Sequence, residues 1–166
     1  MSDKTIYTFK AHQISGDEFS LSDYKNKVLM IVNTASECGF TPQLKDLAAL
    51  KNEFIGQDFE ILAFPSNDFG GQEPLQGDAI ATFCENYGSN FPVFDKITVK
   101  GAQAHPLYKF FADKKLNGRL SSKPRWNFHK FLINRKGEVV DFYLPFTKPT
   151  SPKIKTKISQ LLADDQ

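Results

Sequence analysis

Two short runs of mostly apolar residues stand out along the chain, Val28-Leu-Met-Ile-Val32 and Glu60-Ile-Leu-Ala-Phe64. Runs of this length, partly β-branched, read as buried strands. Between them Leu44, Leu47, Ala48 and Phe54 recur at roughly helical spacing, with Lys45, Asp46, Lys51 and Glu53 interleaved. This predicts a helix from Pro42 to about Phe54, with Thr41 as its cap and Pro42 at its first position. Strand, helix and strand of these lengths make a βαβ unit, a parallel pair joined by a right-handed crossover.

The flanking pattern supplies the remaining elements. Residues 5–20 read as a short hairpin: Ile6-Tyr-Thr-Phe9, a turn around Ser15-Gly16-Asp17, then Glu18-Phe19-Ser20-Leu21. Ser22 to Lys27 is a polar approach to the first core strand. Ile80, Phe83, Cys84 and Tyr87 form one apolar face of a helix over Asp78–Tyr87. Phe91–Phe94 and Ile97–Val99 are short extended pieces, and Ala104–Asp113 is a third helix with Leu107, Tyr108, Phe110 and Phe111 on its apolar side. Lys114–Arg125 is polar and basic and reads as an exposed loop. Phe128–Asn134, the turn Arg135-Lys-Gly137 and Glu138–Tyr143 read as a β-hairpin. After a proline-containing turn at Thr147–Ser151, Ser151-Pro152 starts a last helix striped by Ile154, Ile158, Leu161 and Leu162. With no linker or repeat, residues 1–166 read as one α/β domain.

The chemistry gathers where the first core strand meets its helix. Cys38 lies in that turn, in Asn33-Thr-Ala-Ser-Glu-Cys-Gly-Phe-Thr-Pro-Gln43. Unpaired amides and the helix dipole at a helix start favour negative charge, and a thiol so placed can be largely thiolate at neutral pH. Gly39 leaves room for close approach to the backbone. Position alone leaves two readings open, a nucleophile and a buried structural cysteine. The second strand stops at Pro65 and opens into the polar loop Ser66-Asn-Asp-Phe-Gly-Gly-Gln72-Glu-Pro74. Both segments follow the carboxyl ends of strands, where open α/β sheets place their chemistry, so they belong on one edge of the sheet.

Composition narrows the picture. The 16 phenylalanines read as core packing. A net charge of +2, scattered, argues against a nucleic-acid or membrane-surface protein. No apolar run approaches the roughly 18 residues of a membrane span, and Met-Ser-Asp-Lys-Thr-Ile-Tyr7 lacks an apolar signal core, so a cytoplasmic protein without stable membrane association is expected. Two cysteines are too few for a disulfide scaffold, and there is no C-x-x-C. The three histidines and two cysteines are too widely spaced for a zinc site.

Three stretches together resemble the glutathione peroxidase family in its cysteine-containing form: Asn33–Pro42, Leu62–Pro74 and Trp126-Asn-Phe-His-Lys-Phe-Leu-Ile-Asn-Arg-Lys-Gly137. They occur in family order, and similarity runs between them over nearly the whole chain. The resemblance implies a thioredoxin-like fold, a central mixed sheet flanked by helices, with an N-terminal β-hairpin. It implies a catalytic tetrad of Cys38, Gln72, Trp126 and Asn127. A Cys38 thiolate would attack the peroxide O–O bond and become a sulfenic acid. The N–H groups of Gln72, Trp126 and Asn127 would stabilise thiolate and leaving oxygen. On its own, a lone Trp is more often core, and a Gln in a glycine-rich loop is more often solvated.

The resemblance also changes the reading of Cys84, which alone looks like a core cysteine. In thiol-dependent members a second cysteine precedes a Phe-Pro pair, as Cys84 precedes Phe91-Pro92. It looks like a resolving cysteine that condenses with oxidised Cys38. Because a disulfide needs Cα atoms within about 7 Å, its helix would have to unwind locally. Plant-like relatives carry a further cysteine where this chain has Ser66, and tetrameric relatives insert a longer segment before Trp126. A monomer is expected. No prosthetic cofactor or metal is implied; the co-substrate is a thiol reductant, thioredoxin or a similar dithiol protein. Glutathione is the alternative, with Cys84 structural and Lys114, Lys115, Arg119, Lys123 and Arg125 as possible attractors of its carboxylates, although these read more simply as solvated. A redox sensor passing its disulfide to a partner would use the same cysteines. A non-catalytic binding module would need no such tetrad. His129, after the Trp-Asn-Phe motif, reads as a structural or surface histidine.

Overall fold

The computed structural model of the chain describes residues 4–164, so Met1 to Asp3 of the N-terminal stretch lie outside the described residues. A 3-10 turn at Ile6–Thr8 leads into the hairpin strands β1 (Lys10–His12) and β2 (Glu18–Ser20), and a second 3-10 turn at Leu21–Tyr24 follows. Then come β3 (Val28–Thr34), α1 (Gln43–Glu53), β4 (Phe59–Pro65), α2 (Asp78–Asn86), α3 (Pro106–Ala112), the single-turn α4 (Lys114–Asn117), β5 (Lys130–Ile133), β6 (Val139–Tyr143) and α5 (Pro152–Ala163). β1 and β2 form a two-stranded sheet, and the other strands form a four-stranded sheet in the order β4-β3-β5-β6. β3 runs parallel to β4 and antiparallel to β5, and β5 runs antiparallel to β6, so the central sheet is mixed.

The unbroken apolar run of β3 has its cause in this order: it lies inside the sheet, and all of its residues are buried. Alternate side chains serve opposite faces. Val28, Met30, Val32, Ile61, Ala63 and Leu132 pack with Leu44, Leu47 and Leu50 of α1, Ile80 and Cys84 of α2, and Ile154 and Ile158 of α5. Leu29, Ile31, Leu62, Phe64, Phe131 and Ile133 pack with Leu107, Tyr108, Phe110 and Phe111 of α3 and with Ile6 and Phe19. Much of the phenylalanine excess sits here, with Phe19 stacked on Phe94 at 4.4 Å and Phe111 on Phe131 at 4.1 Å.

Several local expectations shift. The first hairpin strand is Lys10–His12, not Ile6–Phe9. Ile6 is instead fully buried and donates its N–H to Gly137 O at 2.9 Å. The Tyr7 ring lies so close over Gly137 that a Cβ there would be 2.5 Å away. Tertiary docking against the β5–β6 turn has overridden the extended pattern. The third helix is shorter than expected because Pro106 opens it and His105 Nδ1 caps the Leu107 N–H at 3.1 Å.

Lys114–Arg125 is not wholly an exposed loop. It contains α4, and Asn117 is buried, its Nδ2 donating to the carbonyls of Phe110, Asp113 and Leu120. The asparagine thus satisfies carbonyls left over at the end of α3. The late hairpin pairs only from Lys130, because the chain turns at Phe128 with a positive φ of 69°.

Candidate active site

Cys38 lies between the end of β3 and the start of α1 and is 7% exposed. Its turn is closed by Thr41, whose hydroxyl donates to Ala35 O at 2.8 Å and accepts the Cys38 N–H at 2.9 Å. Thr41 therefore does not cap the helix; the cap position is Pro42, without a side-chain bond. The amides expected to be free at the helix start are also taken, since Gln43, Leu44 and Lys45 donate to the carbonyls of Phe40, Thr41 and Pro42. The amide that reaches the sulfur is Phe40's, donating to Cys38 Sγ at 3.3 Å.

Gln72 arrives from the loop after β4. The Glu37 N–H donates to Gln72 O at 2.9 Å, which ties that loop to the Cys38 turn. Gly70 and Gly71 hold φ of 69° and 62°, and a Cβ on Gly70 would lie 3.2 Å from Trp126 Cη2. Only glycine adopts this conformation cheaply while leaving room for the indole. Trp126 is partly buried and packs against the cluster that contains Cys38; its ring also meets Phe69 at 5.5 Å.

Asn127 is fully buried and donates from Nδ2 to Gln72 Oε1 at 3.0 Å, while its own Oδ1 has no protein partner. The Trp126–Phe128 turn is pinned by Asn33, which donates from Nδ2 to Trp126 O at 3.1 Å and accepts the Phe128 N–H at 2.6 Å. Lys130 Nζ holds Phe128 O at 2.7 Å from the other side. A left-handed conformation at a bulky residue costs about 1–2 kcal/mol, and these bonds hold it in place. Gln72, Trp126 and Asn127 are thus brought to one edge of the sheet, beside the Cys38 turn.

Cys84 lies in an intact α2 and is 3% exposed, with both cysteines free. Burial first, then the charges of Glu73 and Glu85, push its thiol up to about 12. It shares the Cys38 cluster. The basic residues of 114–125 are exposed, and Arg119 is engaged with Glu138 at 3.0 Å.

Two participants were not singled out from sequence. Asn33 is a fully buried amide at a strand end, and Glu73 is a buried carboxylate that accepts from Ser36 Oγ at 2.6 Å. Asn33 ends an apolar strand and Glu73 follows Gln72 directly, but neither position by itself signals a buried bond. His129, read from sequence as a structural or surface histidine, is fully buried, with Nε2 3.1 Å from Ser122 Oγ and Nδ1 without a protein partner. Burial, then the charges of Lys130 and Arg125, lower its pKa to about 4. Burial lowers the Lys130 ammonium to about 7. Among the described residues no cluster of three or more His, Cys, Asp or Glu side chains could hold a metal ion.

Comparison with known proteins adds to this geometry. Residues 6–112 match the family model described as glutathione peroxidase. The chain is 49% identical over 159 residues to a glutathione peroxidase homolog BsaA of Halalkalibacterium halodurans, covering 95% of this chain and 99% of that protein. It is 45% identical to a hydroperoxy fatty acid reductase of Synechocystis sp., covering 97% and 98% respectively. Among solved structures, T. cruzi GPX1 matches with a TM-score of 0.76 at 33% identity, covering 98% of this chain and 99% of that one. A putative thioredoxin of Neisseria meningitidis, 18% identical with a TM-score of 0.67, covers 100% of this chain and 94% of its own, and shares the fold. No helix among the described residues is long and apolar enough to cross a membrane. The α/β fold is thioredoxin-like, and the chain belongs to the glutathione peroxidase family and is a peroxidase of that type.

Proposed function

We propose that this peroxidase reduces hydrogen peroxide and organic or lipid hydroperoxides by a two-cysteine cycle. The Cys38 thiolate attacks one oxygen of the O–O bond, the other oxygen leaves as water or alcohol after taking a proton, and sulfur becomes a sulfenic acid. The N–H groups of Gln72, Trp126 and Asn127 stabilise charge on sulfur and on the departing oxygen. Cys84, deprotonated as α2 opens, then attacks the Cys38 sulfur. The S–O bond breaks, hydroxide leaves as water, and an intramolecular disulfide remains. Thioredoxin or a similar dithiol protein reduces it. The chain acts as one domain, 1–166, and as a monomer.

The observation that carries this reading is the Asn127–Gln72 bond at 3.0 Å. It turns the Gln72 amide oxygen toward Asn127 and leaves its NH2 to donate beside the Cys38 turn. The name of the Synechocystis relative favours lipid hydroperoxides as substrates. The burial of Cys84 in an intact helix favours a second reading, in which Cys84 is structural and glutathione reduces the Cys38 sulfenic acid directly.

The test is intact mass after one equivalent of hydrogen peroxide without added thiol. Loss of two hydrogens, absent in Cys38→Ser and in Cys84→Ser, supports the two-cysteine cycle. Gain of oxygen at Cys38 with Cys84 still free supports the glutathione reading. An unchanged mass would overturn both.

A further inference from the structure

Glu73 is a buried carboxylate, 2% exposed, with no part in the chemistry above. Desolvating a carboxylate is costly unless it is well bonded. Its Oε2 accepts the Ser36 hydroxyl at 2.6 Å, a charge-assisted length. Ser36 lies two residues before Cys38, in the same closed turn. The backbone of Glu73 is held as well: its N–H donates to Asn67 Oδ1 at 2.9 Å, and its carbonyl accepts Lys96 Nζ at 2.8 Å. One position away, Gln72 O accepts the Glu37 N–H at 2.9 Å. Two adjacent rungs therefore join the Cys38 turn to the glutamine loop, Glu37 to Gln72 through backbone and Ser36 to Glu73 through side chains.

The backbone rung joins the loop to the Cys38 turn at a single bond, since the Asn67, Lys96 and Asn127 bonds go elsewhere. The second rung adds a side-chain tie beside it and so fixes the direction from which the Gln72 side chain enters the site. Burial holds the Glu73 pKa above the usual carboxylate range, and the Ser36 hydroxyl and the Lys96 charge offset only part of that rise.

We propose that Glu73 is a positioning residue for the peroxidase reaction, which through Ser36 clamps the Gln72 loop to the Cys38 turn and sets the aim of the Gln72 amide. The proposal rests on the peroxidase reading above. A displacement of about 1 Å in a reacting group can cost on the order of 10²-fold in rate. Glu73→Ala and Ser36→Ala should each slow the oxidation of Cys38 by hydrogen peroxide by about 10- to 100-fold. Glu73→Gln, which keeps an acceptor for the Ser36 hydroxyl, should recover most of the rate.

The decisive measurement is a double-mutant cycle with Gln72→Ala, using the second-order rate of Cys38 oxidation and thermal melts of every variant. If Glu73 acts through Gln72, Glu73→Ala adds nothing to the loss already caused by Gln72→Ala. Losses that multiply would overturn the proposal, as would a Ser36→Ala protein that melts and reacts like the parent. Failure of the parent protein to react with peroxide would instead sink the peroxidase reading.

Discussion

Asn127 donates its side-chain amide to Gln72 Oε1 at 3.0 Å, across 55 positions of sequence. The bond turns the Gln72 amide oxygen toward Asn127 and leaves the Gln72 NH2 to donate elsewhere. Gln72→Ala should slow Cys38 oxidation by about 10²-fold, the scale of losing one preorganised donor to developing negative charge. Asn127→Ala should cost more, because it removes one donor and releases the other. Stopped-flow rates with hydrogen peroxide would rank them, and an Asn127→Ala protein faster than Gln72→Ala would contradict this order.

Gly70 carries the loop past the indole with φ at 69°, and a Cβ there would crowd Trp126 Cη2 at 3.2 Å. Gly70→Ala combines backbone strain of about 1–2 kcal/mol with a push on Trp126. It should lower the midpoint of thermal unfolding and also slow peroxide reduction. A stable, fully active Gly70→Ala protein would show that the loop tolerates displacement.

The Cys84 thiol, held up at about 12, is almost wholly protonated at pH 8 in the folded chain. In a Cys38→Ser background, iodoacetamide should label Cys84 orders of magnitude more slowly than a free cysteine at that pH. Conditions that loosen α2 should accelerate it. Glu73→Gln removes a charge that raises this pKa, so labelling should quicken. Labelling of folded Cys38→Ser at the free-thiol rate would mean that α2 does not shield the sulfur.

Buried His129 makes stability depend on acid. Unfolded, the imidazole binds its proton near 6.5, whereas folded it does so only near 4. Between these values the unfolded chain binds more protons. Its contribution is therefore full above about pH 6.5 and is lost as the pH falls toward 4, on the order of 3 kcal/mol. His129→Gln should flatten that slope in denaturant titrations at pH 7 and 4.5. An unchanged slope would place the acid sensitivity in other groups.

Local pattern determined a great deal here. The apolar runs specify β3 and β4, the helical stripes specify α1, α2 and α5, and the turn holding Cys38 follows from what flanks it. These signals are legible because side-chain periodicity follows backbone geometry within a few residues. Where local signals competed with docking, they failed: Ile6–Phe9 looked like a strand and was drawn onto the β5–β6 turn, and Thr41 looked like a helix cap but closed the Cys38 turn instead.

The family motifs made Gln72, Trp126 and Asn127 candidates, yet the bonds that make them a site span 55 residues from Asn127 to Gln72, 93 from Asn33 to Trp126 and 37 from Ser36 to Glu73. A polar side chain that will be buried against a distant partner looks, in sequence, like one that faces water. Only the packing of β3 between β4 and β5, which brings three distant chain segments to one sheet edge, decides which of them lose water and must bond to one another.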